Sequence, residues 1–167
     1  MAYRACGNNI AGSLAFSVGL VLVCVMGSEL YTGKIGYAKP ADWPEMAIML
    51  LINLSTAAAM GAIAPGGAPD KLAIPIGVAF LRALLCGVLV FAAVEGWSRT
   101  RNVISIVLPT AIFVLIGGEH CVADAFWISA AGAWGWGAAG WLAVVVIGNS
   151  LGAVGARVIT GSRKYDI

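Results

Sequence analysis

The chain has 167 residues, 60% of them hydrophobic and only 11% Asp, Glu, Lys or Arg. A soluble domain carries about a quarter charged residues, so a water-soluble globule is excluded at a mean hydropathy of +0.92, and so is a disordered chain. The net charge of +2 is too small to point to nucleic acid, and the length fits one membrane domain with room for five or six crossings of about 20 residues each.

In chain order, the first charge-poor stretch is 10–28. Arg4 before it imitates the start of a secretory leader. The run is long, however, and no clear small-x-small site precedes the Glu29 region, so it is read as a retained span. The second stretch is 46–64, the third is 72–94 with Arg82 as its one charge, and the fifth is 134–156. The fourth, 102–133, carries Glu119, His120 and Asp124 near its middle and is too long for one simple crossing, so part of it must be irregular. Period-two alternation is absent, which argues against strands. The expected fold is an all-α multi-pass membrane bundle over residues 1–167, with a tail at 157–167.

Seven of the ten basic residues fall on one side of these spans: Lys34 and Lys39, Arg99 and Arg101, and Arg157, Arg163 and Lys164. The excess of Lys and Arg places that side, and the C-terminus, in the cytoplasm, and the chain in the cell membrane. Five of the six Trp (Trp43, Trp97, Trp127, Trp134 and Trp136) lie near span ends, as interfacial anchors do. Cys6, Cys24, Cys86 and Cys121 lack metal-ligand spacing. There is no CxxC, Walker loop or HExxH, so no enzyme, cofactor or metal is expected.

The chain also repeats itself. Gly27-Ser28-Glu29 and Gly117-Gly118-Glu119 each end a long apolar run, and Asn53 and Asn149 each mark the helix that follows. The segment order is a, b, c, a′, b′. A complete duplication would begin with a partner for segment c, so the pattern is one helix short. An offset of three spans inverts the second copy. Inverted repeats with interrupted helices mark transporters and channels, with the site where the breaks meet. Glu29 and Glu119 are expected to be structural there, bracing the breaks through backbone N–H groups. A buried carboxylate costs about 2.5–3.5 kcal/mol on insertion scales.

Four segments carry a family resemblance. These are Phe16-Ser17-Val18-Gly19-Leu20 leading to Gly27–Gly33, Lys71 through Phe80–Cys86, Gly118-Glu119-His120-Cys121-Val122-Ala123-Asp124-Ala125-Phe126, and Gly148-Asn149-Ser150-Leu151-Gly152. In this order and spacing they resemble the formate/nitrite transporter family. The resemblance implies an aquaporin-like inverted-repeat protomer, normally of six helices, assembled as a homopentamer with one pore per protomer. This chain would hold five of the six, with interruptions in 10–38 and 102–133. It departs from the family pattern at Gly87, Gly118 and Asp124. These changes remove one polar pore group and add a possible charge.

His120 is the only histidine, and its side-chain type titrates near neutral pH. A neutral weak acid crosses an apolar constriction far more readily than its anion, so His120 is the expected proton-exchange residue. Thr32 and Asn149 are placed to hydrogen-bond His120 or the substrate, or else to cap helices. By family position Lys71 is a vestibule lysine that draws anions in; otherwise it is a snorkelling interfacial lysine. Phe16 and Phe113 would form one constriction, and Leu20, Leu30 and Val90 the other. The expected function is proton-coupled passage of a small monovalent anion such as formate, nitrite or hydrosulfide. The alternative is a truncated or degenerate, non-transporting membrane subunit. A neutral-solute pore of the aquaporin kind lacks its NPA motif.

Overall fold

The computed structural model describes residues 9–64, 66 and 69–162, so Arg4, Cys6, Arg163 and Lys164 lie outside it. Among the described residues all regular structure is helical. The helices are α1 (Asn9–Val25), α2 (Tyr31–Lys34), α3 (Trp43–Ile63), α4 (Ile76–Thr100), α5 (Ile104–Leu115), α6 (Cys121–Ala130) and α7 (Trp136–Thr160). Short 3-10 turns occupy Ile35–Tyr37, Pro40–Asp42 and Pro69–Ala73. Three helices are long and apolar enough to cross a membrane: α3 with its preceding turn, α4 and α7. The helices α1, α5 and α6 are shorter and apolar.

The two interruptions are built alike. At the end of α1, the Ser28 N–H donates to the Val23 carbonyl at 2.9 Å and the Gly27 N–H to that of Cys24 at 3.3 Å. At the end of α5, the Gly118 N–H donates to the Phe113 carbonyl at 2.7 Å and the Gly117 N–H to that of Val114 at 3.1 Å. Both are Schellman caps, which need a residue in the left-handed region. Gly27 (φ 65°) and Gly117 (φ 73°) supply it. Each Gly-x-Glu therefore stops a helix because its first glycine adopts a conformation that costs other residues energy.

Several boundaries differ from the sequence expectation: α3 begins at Trp43, α4 begins at Ile76, and α7 runs to Thr160, into the stretch read as a tail; two further differences have clear physical reasons. The first helix ends at Val25 rather than 28, because its cap begins before the polar residues do. Helix α4 runs to Thr100, six residues past the expected end, although Glu95 lies in its path. That carboxylate is held by the Tyr37 hydroxyl and by Arg99, at 2.5 Å for the latter, so its charge is compensated where it lies.

The centre of the molecule is the α4–α7 pair. A Cβ at Gly152 would stand 2.0 Å from the Leu84 carbonyl oxygen, and one at Gly148 2.7 Å from the Ala83 Cβ. These small residues, four apart, let the two backbones meet, as small-xxx-small seams do in membranes. Helix α5 packs on α4, α1 packs on α5, and α6 packs on α3. The outward faces stay apolar: Ile10, Leu14, Val18 and Leu22 on α1, and Ile48, Leu51, Ile52 and Ile63 on α3 are exposed. Such faces suit hydrocarbon or a neighbouring subunit rather than water.

Candidate functional site

The site is built where the two interrupted segments meet. Each interruption is tied to the following long helix of its own half by an asparagine. Asn53 Oδ1 accepts the Tyr31 N–H at 2.8 Å, and its Nδ2 donates to the Glu29 carbonyl at 3.3 Å. Asn149 Oδ1 accepts the Cys121 N–H at 2.9 Å, and its Nδ2 donates to the Glu119 and Ala83 carbonyls, both at 2.8 Å. Tyr31 and Cys121 are the first residues of α2 and α6. The two asparagines thus satisfy the same pair of backbone groups in each half. Asn149 is fully buried and its two amide hydrogens are both engaged. Its observed contacts are those of a cap, with no hydrogen left for a substrate.

The expectation that Glu29 and Glu119 brace the breaks through backbone N–H groups is corrected here. Both carboxylates contact cations. Glu29 is about half exposed and pairs with Lys34. Glu119 is buried, pairs with Lys71, and lies 3.8 Å from Arg82. Bracing falls to the asparagines because a side-chain amide offers a donor and an acceptor together, whereas a carboxylate only accepts.

His120 directly precedes α6. Its Nδ1 accepts the Ala123 N–H at 3.4 Å, and its Nε2 lies 3.0 Å from Thr32 Oγ1. With Nδ1 accepting, the neutral ring carries its hydrogen on Nε2 and donates to the threonine. Thr32 is then the acceptor of this hydrogen bond. The ring also packs against Phe113 and edge-on to Phe16, each centroid 6.0 Å away, and those two rings lie 5.4 Å apart. Phe113 packs with Val90 and Cys86, with Phe16 against them. Leu20 packs with Ala93 and Ile106, with Leu30 against them. The five expected constriction residues thus fall in two apolar layers, with Val90 beside Phe113 and not, as expected, beside Leu20 and Leu30, because its turn of α4 faces α5 at that level.

A cavity lies beside each layer. One, of about 280 Å³, is bordered by Phe16, Phe113, His120, Lys71, Glu119 and Asp124. The other, of about 650 Å³, is bordered by Leu30, Gly33, Trp97, Glu29 and Lys34. They share no lining residue, and Leu20 and Val90 border neither.

Lys71 is not the snorkelling residue that one reading allowed. It sits in the 3-10 turn before α4, mostly buried, and donates to both Glu119 and Asp124. Its ammonium also stands 6.0 Å from the Trp141 ring centre. Sequence reasoning missed this double pairing, because the lysine is 53 residues from Asp124 along the chain. The signal available was the coincidence of a lysine at a helix entry with two carboxylates in an apolar segment. Gly87 is corrected too. A Cβ there would meet the Asn149 carbonyl oxygen at 2.1 Å, so the position faces α7 and not a cavity. Gly118, by contrast, borders the smaller cavity.

Paired helix breaks, long apolar spans and two cavities divided by apolar layers define a multi-pass membrane channel. A family model described as Formate/nitrite transporter matches residues 2–160. The chain belongs to this family of channels, whose members are not enzymes. Among solved structures it is similar to an "FNT family ion channel", with a TM-score of 0.75 and 22% identity, covering 92% of this chain and 77% of that one. It is also similar to a "Pentameric formate channel with formate bound", with a TM-score of 0.63 and 25% identity, covering 92% and 80%. No curated protein matches the chain.

Proposed function

We propose that the chain forms a pore for a small monovalent anion of the formate, nitrite or hydrosulfide kind, and that His120 exchanges a proton with the permeating species. The observation that carries this reading is the setting of His120. The one histidine borders a cavity lined with charged groups and packs against Phe113 and Phe16 of the adjoining apolar layer. An ion entering that layer loses its water at a high cost, whereas its neutral acid does not. An imidazolium at this position can give its proton to the anion. The ring is then left in the neutral form that the Ala123 N–H and Thr32 hold.

In this reading Thr32 and Asn149 position the histidine and its helix, and Glu29 and Glu119 pair with Lys34 and Lys71 beside the breaks. Lys71 lines the vestibule, and Phe16, Leu20, Leu30, Val90 and Phe113 form the constrictions. The matched asparagine caps support an inverted repeat, with five crossings in this chain. The smaller cavity is assigned to the outer side. Arg99 reaches Ser162 at 3.1 Å, and Tyr37 reaches Glu95. These contacts gather the ends of α4 and α7 and the basic loop after α2 on one face, which the excess of Lys and Arg makes cytoplasmic. The exposed apolar faces of α1 and α3 are read as lipid and subunit contacts of a homopentamer.

The test is uptake into proteoliposomes holding the purified protein. Formate, nitrite or hydrosulfide is expected to enter faster than into empty vesicles, and faster at acid outside pH. Rates equal to those of empty vesicles for all three would overturn the reading.

A further inference from the structure

The balance of charge around Lys71 has a consequence for how an anion enters. Four charged side chains meet at the smaller cavity: Lys71 and Arg82 against Glu119 and Asp124. Their formal charges cancel. Asp70, exposed in the same 3-10 turn, also borders this cavity. With all carboxylates ionised, Asp70 included, the cavity therefore carries one excess negative charge and does not attract an anion.

Asp124 differs from the other three. Its side chain is 1% exposed, and Oδ1 accepts from Lys71. Its other oxygen, Oδ2, is buried without a hydrogen-bond partner among the described residues. A buried charged oxygen with nothing to bond is costly. A proton on Oδ2 removes that cost and turns the oxygen into a donor. It also leaves Glu119 as the one carboxylate paired with the two cations, so the same event makes the cavity one unit more positive.

We propose that Asp124 takes up a proton together with the incoming anion, so that the cavity loads anion and proton as a neutral pair ahead of His120. The step is a balanced one. The carboxylate gains one proton from the outside solution, the cavity gains one anion, and no net charge is added. Each partner strengthens the binding of the other, as linkage requires. The groups facing Asp124 are Lys71 and Asp70 on the turn, Arg82 and Cys86 on α4, Glu119 and His120 at the break, and Cys121 on its own helix. Lys71 positions the carboxyl, and Oδ2 is left for the proton. The proposal rests on the pore reading above.

The experiment compares the wild type with Asp124→Asn, which keeps the shape and the acceptor oxygen toward Lys71 but fixes the neutral state. Infrared difference spectra of the reconstituted protein are recorded on adding sodium formate, with sodium chloride as control. The wild type is expected to gain the carbonyl stretch of a protonated carboxyl with formate. The band should be lost in Asp124→Asn and kept in Glu119→Gln. In formate uptake, Asp124→Asn should run about tenfold faster than the wild type at mildly alkaline outside pH, because its cavity has already lost one negative charge. No band in the wild type, a band surviving in Asp124→Asn, or an unchanged pH profile of uptake would overturn the proposal. The band can appear in a protein that moves no formate. A positive spectrum with empty-vesicle uptake would sink the pore reading and leave the proton site standing.

Discussion

Asn149 is the residue on which the break before α6 depends. Its side chain satisfies one buried N–H and two carbonyls, and it is itself fully buried. Asn149→Ala leaves those groups without partners, and each costs about 1–3 kcal/mol when unpaired. We expect a loss of about 3 kcal/mol in stability, read as a lowered midpoint of thermal unfolding in detergent. Asn53→Ala should cost clearly less, since its donor bond is longer and the site more open. Equal losses for the two would refute this ordering. Thr32 belongs to the same scale. Thr32→Val removes the acceptor for His120 Nε2 while keeping the shape. It should slow formate uptake about tenfold by freeing the ring and leave the unfolding midpoint almost unchanged. A lowered midpoint at unchanged uptake would make Thr32 a packing residue only.

At the scale of the helices, the stop signals were legible in the sequence. A glycine two residues before a glutamate, after a long apolar run, marks a left-handed cap, and both Gly27 and Gly117 adopt it. The partnering of His120 with Thr32 was also within reach, since both follow such a stop. The environments of Glu29 and Glu119 were not. Their sequence settings are nearly equal, yet one meets Lys34 near the surface and the other meets Lys71 in the interior. That difference arises from the turn before α4 folding over the break, which no local pattern encodes. The role of Gly87 was hidden for the same reason, because only the α4–α7 approach reveals which way the position faces. The seam makes its own prediction. Gly152→Ala drives a methyl into the Leu84 carbonyl and should cost about 1–3 kcal/mol. Gly155→Ala, three residues along the same helix, meets open space and should be neutral or gain up to about 1 kcal/mol. Unfolding midpoints of the two variants compare them directly.

At the scale of the molecule, charge and apolar surface are sorted in a way that suits permeation. Charged groups gather in the two cavities and at one end of the bundle, while the clusters around Phe113 and Leu20 are apolar and the neutral Thr32–His120 pair is buried. Such a barrier stops a hydrated ion and passes a small neutral acid. The central claim is that a proton on His120 allows an anion through this barrier. The most direct test is formate uptake into proteoliposomes carrying the wild type or His120→Phe at matched protein content, across a range of outside pH. Uptake is expected to rise toward acid pH in the wild type and to fall about a hundredfold in the variant. Uptake by His120→Phe at the wild-type rate, with the wild-type pH dependence, would contradict it.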